Sequence, residues 1–239
     1  MLDDLAGLGP FFAVSSHPPG AMFVSPWRPA SLLLHPSAAL ADRIASVRGA
    51  LAGQRGVTVD DVELRVAGST VHLGLAARLA SPALGAAVLG RPLDLRPADL
   101  WWQQAAGGPV PLSVPAPGPG APAGRPEPAP GEWQRVLLDE LLAPATAAIA
   151  RLVPVSGRVL WGNVASAVNA AARQLASQRP DLADRAWQAA AGLFASPLLD
   201  SEPRPPGPAF RRSSCCLFYR VAPGGRGAVC GDCILGRMT

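Results

Sequence analysis

Residues 211–233 read RRSSCCLFYRVAPGGRGAVCGDC and contain all four cysteines of a 239-residue chain: Cys215, Cys216, Cys230 and Cys233. Two cysteines are adjacent, thirteen residues follow, and the last two form a C-x-x-C pair in which Gly231 allows a tight turn. The PGGRG segment between the pairs is a flexible turn that can fold them against each other. Four thiolates that meet at one point are the ligand set of a tetrahedral zinc ion or of a [2Fe–2S] cluster.

Three interpretations of this pattern compete. Zinc sites use two C-x(2–4)-C pairs, and neighbouring side chains such as those of a vicinal pair point apart in extended backbone. A two-iron cluster divides its ligands between two metal ions, although the spacing differs from that of plant-type ferredoxins. A redox disulfide is disfavoured in a reducing cytoplasm unless it is catalytic. The residues alone therefore leave zinc and iron–sulfur open, with a disulfide as the third possibility.

The rest of the composition excludes several classes of function. All 21 basic residues are arginine, so the chain has no lysine for a Schiff base or for a phosphate-binding loop. The net charge of +4 is compatible with an acidic ligand or a membrane surface but does not indicate a nucleic-acid-binding protein. The N-terminus carries Asp3 and Asp4 where a signal peptide needs positive charge, and the longest uncharged stretch, 100–124, is rich in proline and glycine. We therefore expect a cytoplasmic protein without a membrane-spanning helix.

Alanine and leucine dominate while aromatic residues make up 5% of the chain, which favours a mainly α fold (α+β) with a small β element. In the segment 37–51 apolar residues recur at helical spacing, and Ser37 can cap its start. Further helices are predicted to begin near Thr58 and at Ser81, to span 132–142 with a kink or restart at Pro144, and to span 158–177 and 181–196. Two short strands are predicted on either side of a turn at Gly107 and Gly108.

The composition also suggests where the chain divides. Residues 1–200 are predicted to form the helical body, with a proline- and glycine-rich loop at 115–131. Residues 201–239 begin with a second proline-rich joint, SEPRPPGP, and continue into the cysteine-rich tail.

The tail resembles the C-terminal segment of the FhuF-like ferric-siderophore reductases, in which a vicinal cysteine pair, a glycine turn and C-G-D-C carry a [2Fe–2S] cluster. The resemblance extends upstream, because residues 65–90 are similar to the helical segment of that family with its R-x-A-x-S start. Residues 158–168 are similar to its W-G-N segment. The gap of thirteen residues between the cysteine pairs is longer than is usual in the family. The extra length falls around APGGRGA, a turn that can absorb an insertion.

The resemblance implies that Cys215, Cys216, Cys230 and Cys233 are the cluster ligands. It also implies a function: one-electron reduction of siderophore-bound Fe(III) in the cytoplasm, with release of Fe(II), which siderophore oxygens bind less tightly. The chain has no Rossmann fingerprint and no flavin motif, so an unidentified separate electron donor is expected. The alternative is a zinc- or cluster-bearing module that binds or senses a siderophore or iron without turnover. A loose association with the inner face of the cytoplasmic membrane is compatible with either.

Several residues outside the cysteines are candidates for binding the substrate. Arginines surround the cysteines in sequence, where they can raise the reduction potential, attract an anionic siderophore, or simply be solvated. Trp161, in the W-G-N segment, is expected in the core, with siderophore contact as the alternative. The arginines are Arg211, Arg212, Arg220 and Arg226.

The remaining polar and aromatic residues have structural interpretations. Among the three histidines, His72 is expected to be packed or capped rather than metal-bound, and Asn163 is expected to hydrogen-bond the backbone or a neighbouring segment. Phe218 and Tyr219 are expected to shield the cluster from water. The adjacent tryptophans are expected to pack in the sheet, with an aromatic wall for a catecholate ligand as the alternative. These histidines and tryptophans are His17, His35, His72, Trp101 and Trp102.

Overall fold

The structure is a computed structural model that describes residues 1–105, 108–116, 131–202, 204–221 and 229–236. It is mainly helical with a small sheet, as the sequence predicts. The α-helices are α1 (Leu2–Gly7), α2 (Ser31–Leu34), α3 (Ala38–Arg55), α4 (Leu64–Val88), α5 (Glu132–Arg135), α6 (Ala143–Leu152), α7 (Gly157–Gln178) and α8 (Ala183–Phe194). Short 3-10 helices span Val59–Asp61, Pro180–Leu182, Pro197–Leu199 and Phe218–Val221, and a π-helical segment spans Val136–Leu142. The strands are β1 (Ser15–His17), β2 (Arg28–Pro29), β3 (Trp101–Trp102) and β4 (Leu112–Pro115).

Two long helices, α4 and α7, form the centre of the fold and pack against each other more extensively than any other pair of elements. Alanine, glycine and serine are frequent on both, and small side chains allow two helix backbones to approach closely. Helix α3 packs on α4, and α8 packs on both central helices. The cysteine-rich tail lies against this central pair, so α4 and α7 position the site.

Helix α3 confirms the prediction for 37–51. Ser37 accepts a hydrogen bond from the backbone N–H of Leu40 at 3.1 Å, which satisfies one of the free donors at a helix start. The helix continues to Arg55, where Gly56 adopts a left-handed conformation with φ 64° and ends it. The apolar face is buried and includes Leu40 and Ile44.

The predicted helix starts near Thr58 and at Ser81 are both wrong. Thr58 caps a short 3-10 turn through a capping box with Asp61, and the α-helix begins only at Leu64. That helix, α4, runs through Ser81 and Pro82 to Val88 without a break. Pro82 removes one helical hydrogen bond. The helix continues because most of α4 is buried, and its packing outweighs the preference of Ser81 and Pro82 for a helix start.

The helical segment after the proline-rich loop is continuous from Glu132 to Leu152, and it confirms a local disturbance near Pro144. The disturbance is the π-helical segment Val136–Leu142, which ends just before the proline. A wider turn relieves the clash between the proline ring and the preceding carbonyl group, and π-helical turns often serve this purpose. Helices α7 and α8 lie close to the predicted spans.

The sheet has the strand order β1-β4-β3-β2. β3 and β4 are antiparallel with Trp101 opposite Ser113, which confirms the predicted pair, although Gly107 of the predicted turn lies outside the described residues. β1 and β2 come from the N-terminal segment, with β1 parallel to β4 and β2 antiparallel to β3. The adjacent tryptophans are buried in this sheet, as expected for packing residues.

By length and composition alone, α4 would be suited to crossing a bilayer, but 78% of its most apolar window is buried inside the protein. Burial in the core therefore accounts for its apolar character. The proline-rich residues 117–130 lie outside the described residues. The predicted division into a body at 1–200 and a tail at 201–239 stays a prediction.

Candidate metal centre

The first cysteine pair is fixed to both central helices through serine side chains. Ser69 of α4 donates a hydrogen bond through its Oγ to the carbonyl oxygen of Cys216 at 2.7 Å. Ser214 donates through its Oγ to the carbonyl oxygen of Arg158 in α7 at 2.9 Å. The backbone just before and within the cysteine pair is therefore held in place before any metal binds.

The second cysteine pair lies next to the first. The backbone N–H of Arg212 donates to the carbonyl oxygen of Asp232 at 3.0 Å, which joins the two segments. The Sγ atoms of Cys216 and Cys230 are 3.7 Å apart, and the Cys215 thiol interacts with that of Cys233. None of the four cysteines forms a disulfide. The tail therefore brings all four together, although their sequence spacing left this open.

The sulfur atoms receive backbone hydrogen bonds from residues that follow each cysteine. Leu217 donates to Cys215 Sγ and Leu235 donates to Cys233 Sγ, both at 3.3 Å, and the N–H of Phe218 donates to Cys216. Leu217 has a φ of 68°, which is uncommon for a residue other than glycine. This turn aims the following amides back at the sulfurs. Such hydrogen bonds stabilise negative charge on sulfur and tune iron–sulfur clusters.

One thiol of the site is prepared to ionise. The Cys230 side chain donates to Cys216 and lowers the pKa of Cys216 to about 6, and the Phe218 amide and the charge of Arg212 act in the same direction. The same hydrogen bond raises the pKa of Cys230, and burial raises that of Cys215. The hydrogen-bonded pair thus shares one proton. Metal ions bind thiolates, so a metal would replace this proton.

The arrangement in pairs fits two metal ions better than one. Cys216 adjoins Cys230 while Cys215 adjoins Cys233, so each vicinal cysteine has a partner from the C-x-x-C segment. A metal–sulfur bond of about 2.3 Å in tetrahedral geometry separates two ligand sulfurs by about 3.8 Å. The 3.7 Å separation in the Cys216–Cys230 pair matches that value.

A buried arginine lies beside the cysteines. The side chain of Arg212 is fully buried, and its Nη2 donates to Asn163 Oδ1 at 2.7 Å and to the carbonyl oxygen of Val159 at 3.1 Å. Its Nε and Nη1 have no hydrogen-bond partner in the described protein. Unpaired buried donors are rare in proteins, so they fit a site that receives an anionic group such as a [2Fe–2S] cluster.

Asn163 connects this arginine to the cysteine backbone. Its side-chain amide donates to the carbonyl oxygen and to the Oγ of Ser69, both at 3.1 Å, and Ser69 in turn donates to Cys216. This confirms the expected bonding of Asn163 to a neighbouring segment. The W-G-N and R-x-A-x-S segments, far apart in sequence, meet here behind the cysteines.

Sequence reasoning missed one acidic residue of this network. Glu202 is buried and accepts hydrogen bonds from the backbone N–H of Ser213 at 2.6 Å and from its Oγ at 2.8 Å. It fixes the segment immediately before the cysteine pair. In the sequence, Glu202 is only a single acidic residue inside the proline-rich joint. This joint has no helical or strand periodicity from which burial of a side chain could be predicted.

The predicted substrate-binding residues have different positions. Arg211 is half-buried and donates to the carbonyl oxygen of Phe210, while Arg220 is half-buried and pairs with Glu63 of the segment before α4. Trp161 is half-buried and packs against the core, as its first interpretation predicts. Arg212 is buried away from solvent, so its position favours a role inside the protein over contact with a bulky ligand. Arg226 lies outside the described residues.

Two of the three histidines are buried, and His72 has the packed position that the sequence predicts. His17 lies within hydrogen-bond distance of Ser113 Oγ, 2.9 Å from its Nδ1, and stacks on Trp101. His72 is buried, with its Nε2 2.9 Å from Thr146 Oγ1, and desolvation lowers its pKa to about 3. His35 is exposed.

A cavity of about 300 Å³ lies beside the cysteine tail. It is bounded by α3 and α4 and by the side chain of Phe218, whose backbone N–H donates to Cys216. Its wall is largely apolar, with Arg43, Gln54 and Thr70 as polar members. Phe218 itself is 45% exposed, so it covers the cysteines only partly.

Comparison with known protein families gives two matches. The family described as "Ferric iron reductase FhuF-like transporter" matches residues 71–212, and the "FhuF 2Fe-2S C-terminal domain" matches residues 212–233. No curated protein matches the chain significantly. The second match spans all four cysteines and confirms the [2Fe–2S] cluster as the cofactor. Since the first match covers more than half of the sequence, the chain belongs to the FhuF-like ferric iron reductase family.

Proposed function

We propose that the protein is a cytoplasmic ferric-siderophore reductase, which passes one electron to siderophore-bound Fe(III) so that Fe(II) is released. The proposal depends on the observation that two of the four cysteines reach the surface, while Cys216 and Cys233 are buried. Cys215 and Cys230 are half-buried, and the large apolar side chains beside them are exposed. These side chains form an apolar rim: Phe218, Val229, Ile234 and Leu235.

The chemistry matches this position. A [2Fe–2S] cluster supplies one-electron transfer when it is bound. Siderophores hold Fe(III) through hard anionic oxygens, and reduction lowers the charge on the iron, so the same oxygens bind it less tightly. The reaction needs neither a nucleophile nor a general base. One electron leaves the reduced protein for each Fe(III), and a separate one-electron donor must replace it.

The protein's own residues contribute rigidity and partial shielding. Ser69 and Ser214 fix the backbone around the first cysteine pair, and the amides of Leu217, Phe218 and Leu235 stabilise negative charge on the sulfurs. The fixed backbone limits the movement that would otherwise accompany a change of charge. The exposed apolar rim offers a contact surface for a bulky substrate.

We place the docking of the siderophore at the cavity beside Phe218. One residue, Phe218, both lines the cavity and donates to Cys216, so a ligand there would lie close to the sulfur ligands. A cavity of about 300 Å³ accommodates part of a siderophore rather than a whole complex, with the iron centre outside over the rim. Arg43, the cation among the described residues that line the cavity, can contact a ligand oxygen.

The electron donor is a separate protein or reductant. The apolar rim supports docking of such a partner, because weak redox encounters use small contact areas. The net charge of +4 is compatible with a loose association with the inner face of the cytoplasmic membrane, which stays a prediction.

The experiment that tests the proposal uses protein purified without oxygen. Iron and sulfide are counted per chain, the EPR spectrum is recorded after dithionite, and Fe(II) release from a ferric trihydroxamate and a ferric tricatecholate is followed with a coloured chelator. We expect many Fe(II) per protein with excess reductant and none above background for Cys216→Ser. A protein that holds zinc or that binds the ferric complexes without turnover would instead be a binding or sensor module.

A further inference from the structure

The charged guanidinium group of Arg212 has hydrogen-bond donors that find no acceptor among the described residues. Its side chain is fully buried, and its Nε and Nη1 have no hydrogen-bond partner. It forms no salt bridge within the described ranges. The buried carboxylate of Glu202 lies on the Nη2 side, because Glu202 Oε1 and Arg212 Nη2 both border Gly162, but it forms no salt bridge with Arg212. A buried cation is strongly destabilising unless it is paired, so a further anion is expected beside Nε and Nη1.

The surroundings of Arg212 indicate what that anion is. The backbone N–H of Arg212 donates to the carbonyl oxygen of Asp232, so the residue lies between the two cysteine pairs. A [2Fe–2S] cluster with four thiolate ligands carries net negative charge, and reduction adds one more.

The guanidinium group is held in one orientation. Nη2 is bound to Asn163 and to the carbonyl oxygen of Val159, and Asn163 is bound to Ser69, which donates to the carbonyl oxygen of Cys216. This closed network links α4, α7 and the cysteine tail. Because Nη2 is fixed, the orientation of Nε and Nη1 is fixed as well.

We propose that Arg212 is a positioning residue for the cluster: its Nε and Nη1 donate hydrogen bonds to cluster sulfurs, and its buried charge raises the reduction potential. The sign follows from electrostatics, since a nearby cation in a medium of low dielectric stabilises the more negative, reduced state. The inference depends on the cluster and not on the proposed reductase activity.

The first test is a potentiometric titration followed by EPR. We expect Arg212→Gln to lower the potential by at least about 59 mV, which is a tenfold change in a one-electron equilibrium. Arg212→Lys, which keeps the charge, should shift the potential less. The control Arg158→Gln removes the same charge from an exposed position on α7 and should leave the potential close to that of the wild type. Equal potentials for Arg212→Gln and the wild type would overturn the proposal.

A second test does not require any Arg212 variant to fold. Wild-type protein labelled with 15N only at the terminal guanidinium nitrogens of arginine is reduced and studied by pulsed EPR. The backbone donors to sulfur belong to leucine and phenylalanine, so they carry no label. We expect a 15N coupling to the reduced cluster that persists in Arg173→Gln, which removes an arginine that the described residues place near the C-x-x-C turn. Absence of the coupling in the wild type, or its loss in Arg173→Gln, would refute the assignment.

Discussion

Adding one methyl group at Gly162, in the W-G-N segment of α7, should loosen the cysteine tail. A Cβ atom at this position would overlap the Oγ of Ser214 and would lie 2.9 Å from Arg212 Nη2 and 3.0 Å from Glu202 Oε1. These three groups fix the backbone before the first cysteine pair. The helix therefore needs glycine here so that the tail can approach it.

The magnitude follows from three contributions. Overpacking a well-packed site destabilises by about 1–3 kcal/mol. If Ser214 rotates away, its hydrogen bond to Arg158 is lost, which costs about 1 kcal/mol more. Alanine is the better helix former by about 1 kcal/mol, which offsets part of this loss. We expect Gly162→Ala to lower the free energy of unfolding by about 1–3 kcal/mol.

The matched control is Gly74→Ala in the middle of α4, where an added Cβ meets no atom within 4 Å. This variant should be neutral or more stable by up to about 1 kcal/mol. Both variants are compared by urea denaturation without oxygen, and the rate of iron loss to a chelator is measured in parallel. Stability of Gly162→Ala equal to that of Gly74→Ala, with the same rate of iron loss, would refute the reasoning.

Three further predictions concern the cavity, a buried histidine and a surface ion pair. Gly74→Leu fills the cavity and should lower kcat/KM for a ferric siderophore at least about tenfold, without changing the reduction potential of the cluster. Gly53→Leu, on an exposed face of α3, should leave kcat/KM unchanged. Equal kcat/KM values for the two variants would contradict docking at this cavity. Because the pKa of His72 is lowered to about 3, the unfolded chain binds a proton below pH 6.5 that the folded protein excludes, so stability is lost as the pH falls. The decline from pH 7 to 5.5 should be smaller by about 1 kcal/mol in His72→Gln, and an identical decline in urea denaturation would contradict it. Glu63→Gln breaks a partly exposed pair with Arg220 and should cost less than about 1 kcal/mol; a loss above about 2 kcal/mol would show that this pair, rather than apolar packing, holds the tail.

The features that the sequence predicts well are local ones. The cap at Ser37, the strand pair around Trp101 and the disturbance near Pro144 depend on neighbouring residues, and the structure contains each of them. The cluster of four cysteines is visible in the sequence, but the residues alone leave zinc, iron–sulfur and a disulfide open, and the ligand set is what the family resemblance implies.

The features that the sequence does not predict depend on contacts between distant segments. Ser81 and Pro82 have the pattern of a helix start, but burial of α4 in the core overrides it. The strands β1 and β2 form because the N-terminal segment pairs with the two outer edges of the β3–β4 pair. Arg212 resembles any arginine near a chain end, and only the packing of the tail on α7 shows that it is buried.

The measurement that tests the central claim most directly is a single turnover without oxygen. Protein reduced by one electron per cluster, with excess dithionite removed, is mixed with a ferric siderophore, and the visible absorption of the cluster and the Fe(II) captured by a chelator are recorded together. We expect the oxidised spectrum to return as one Fe(II) is captured per cluster. A cluster that stays reduced in the presence of bound ferric siderophore would contradict it.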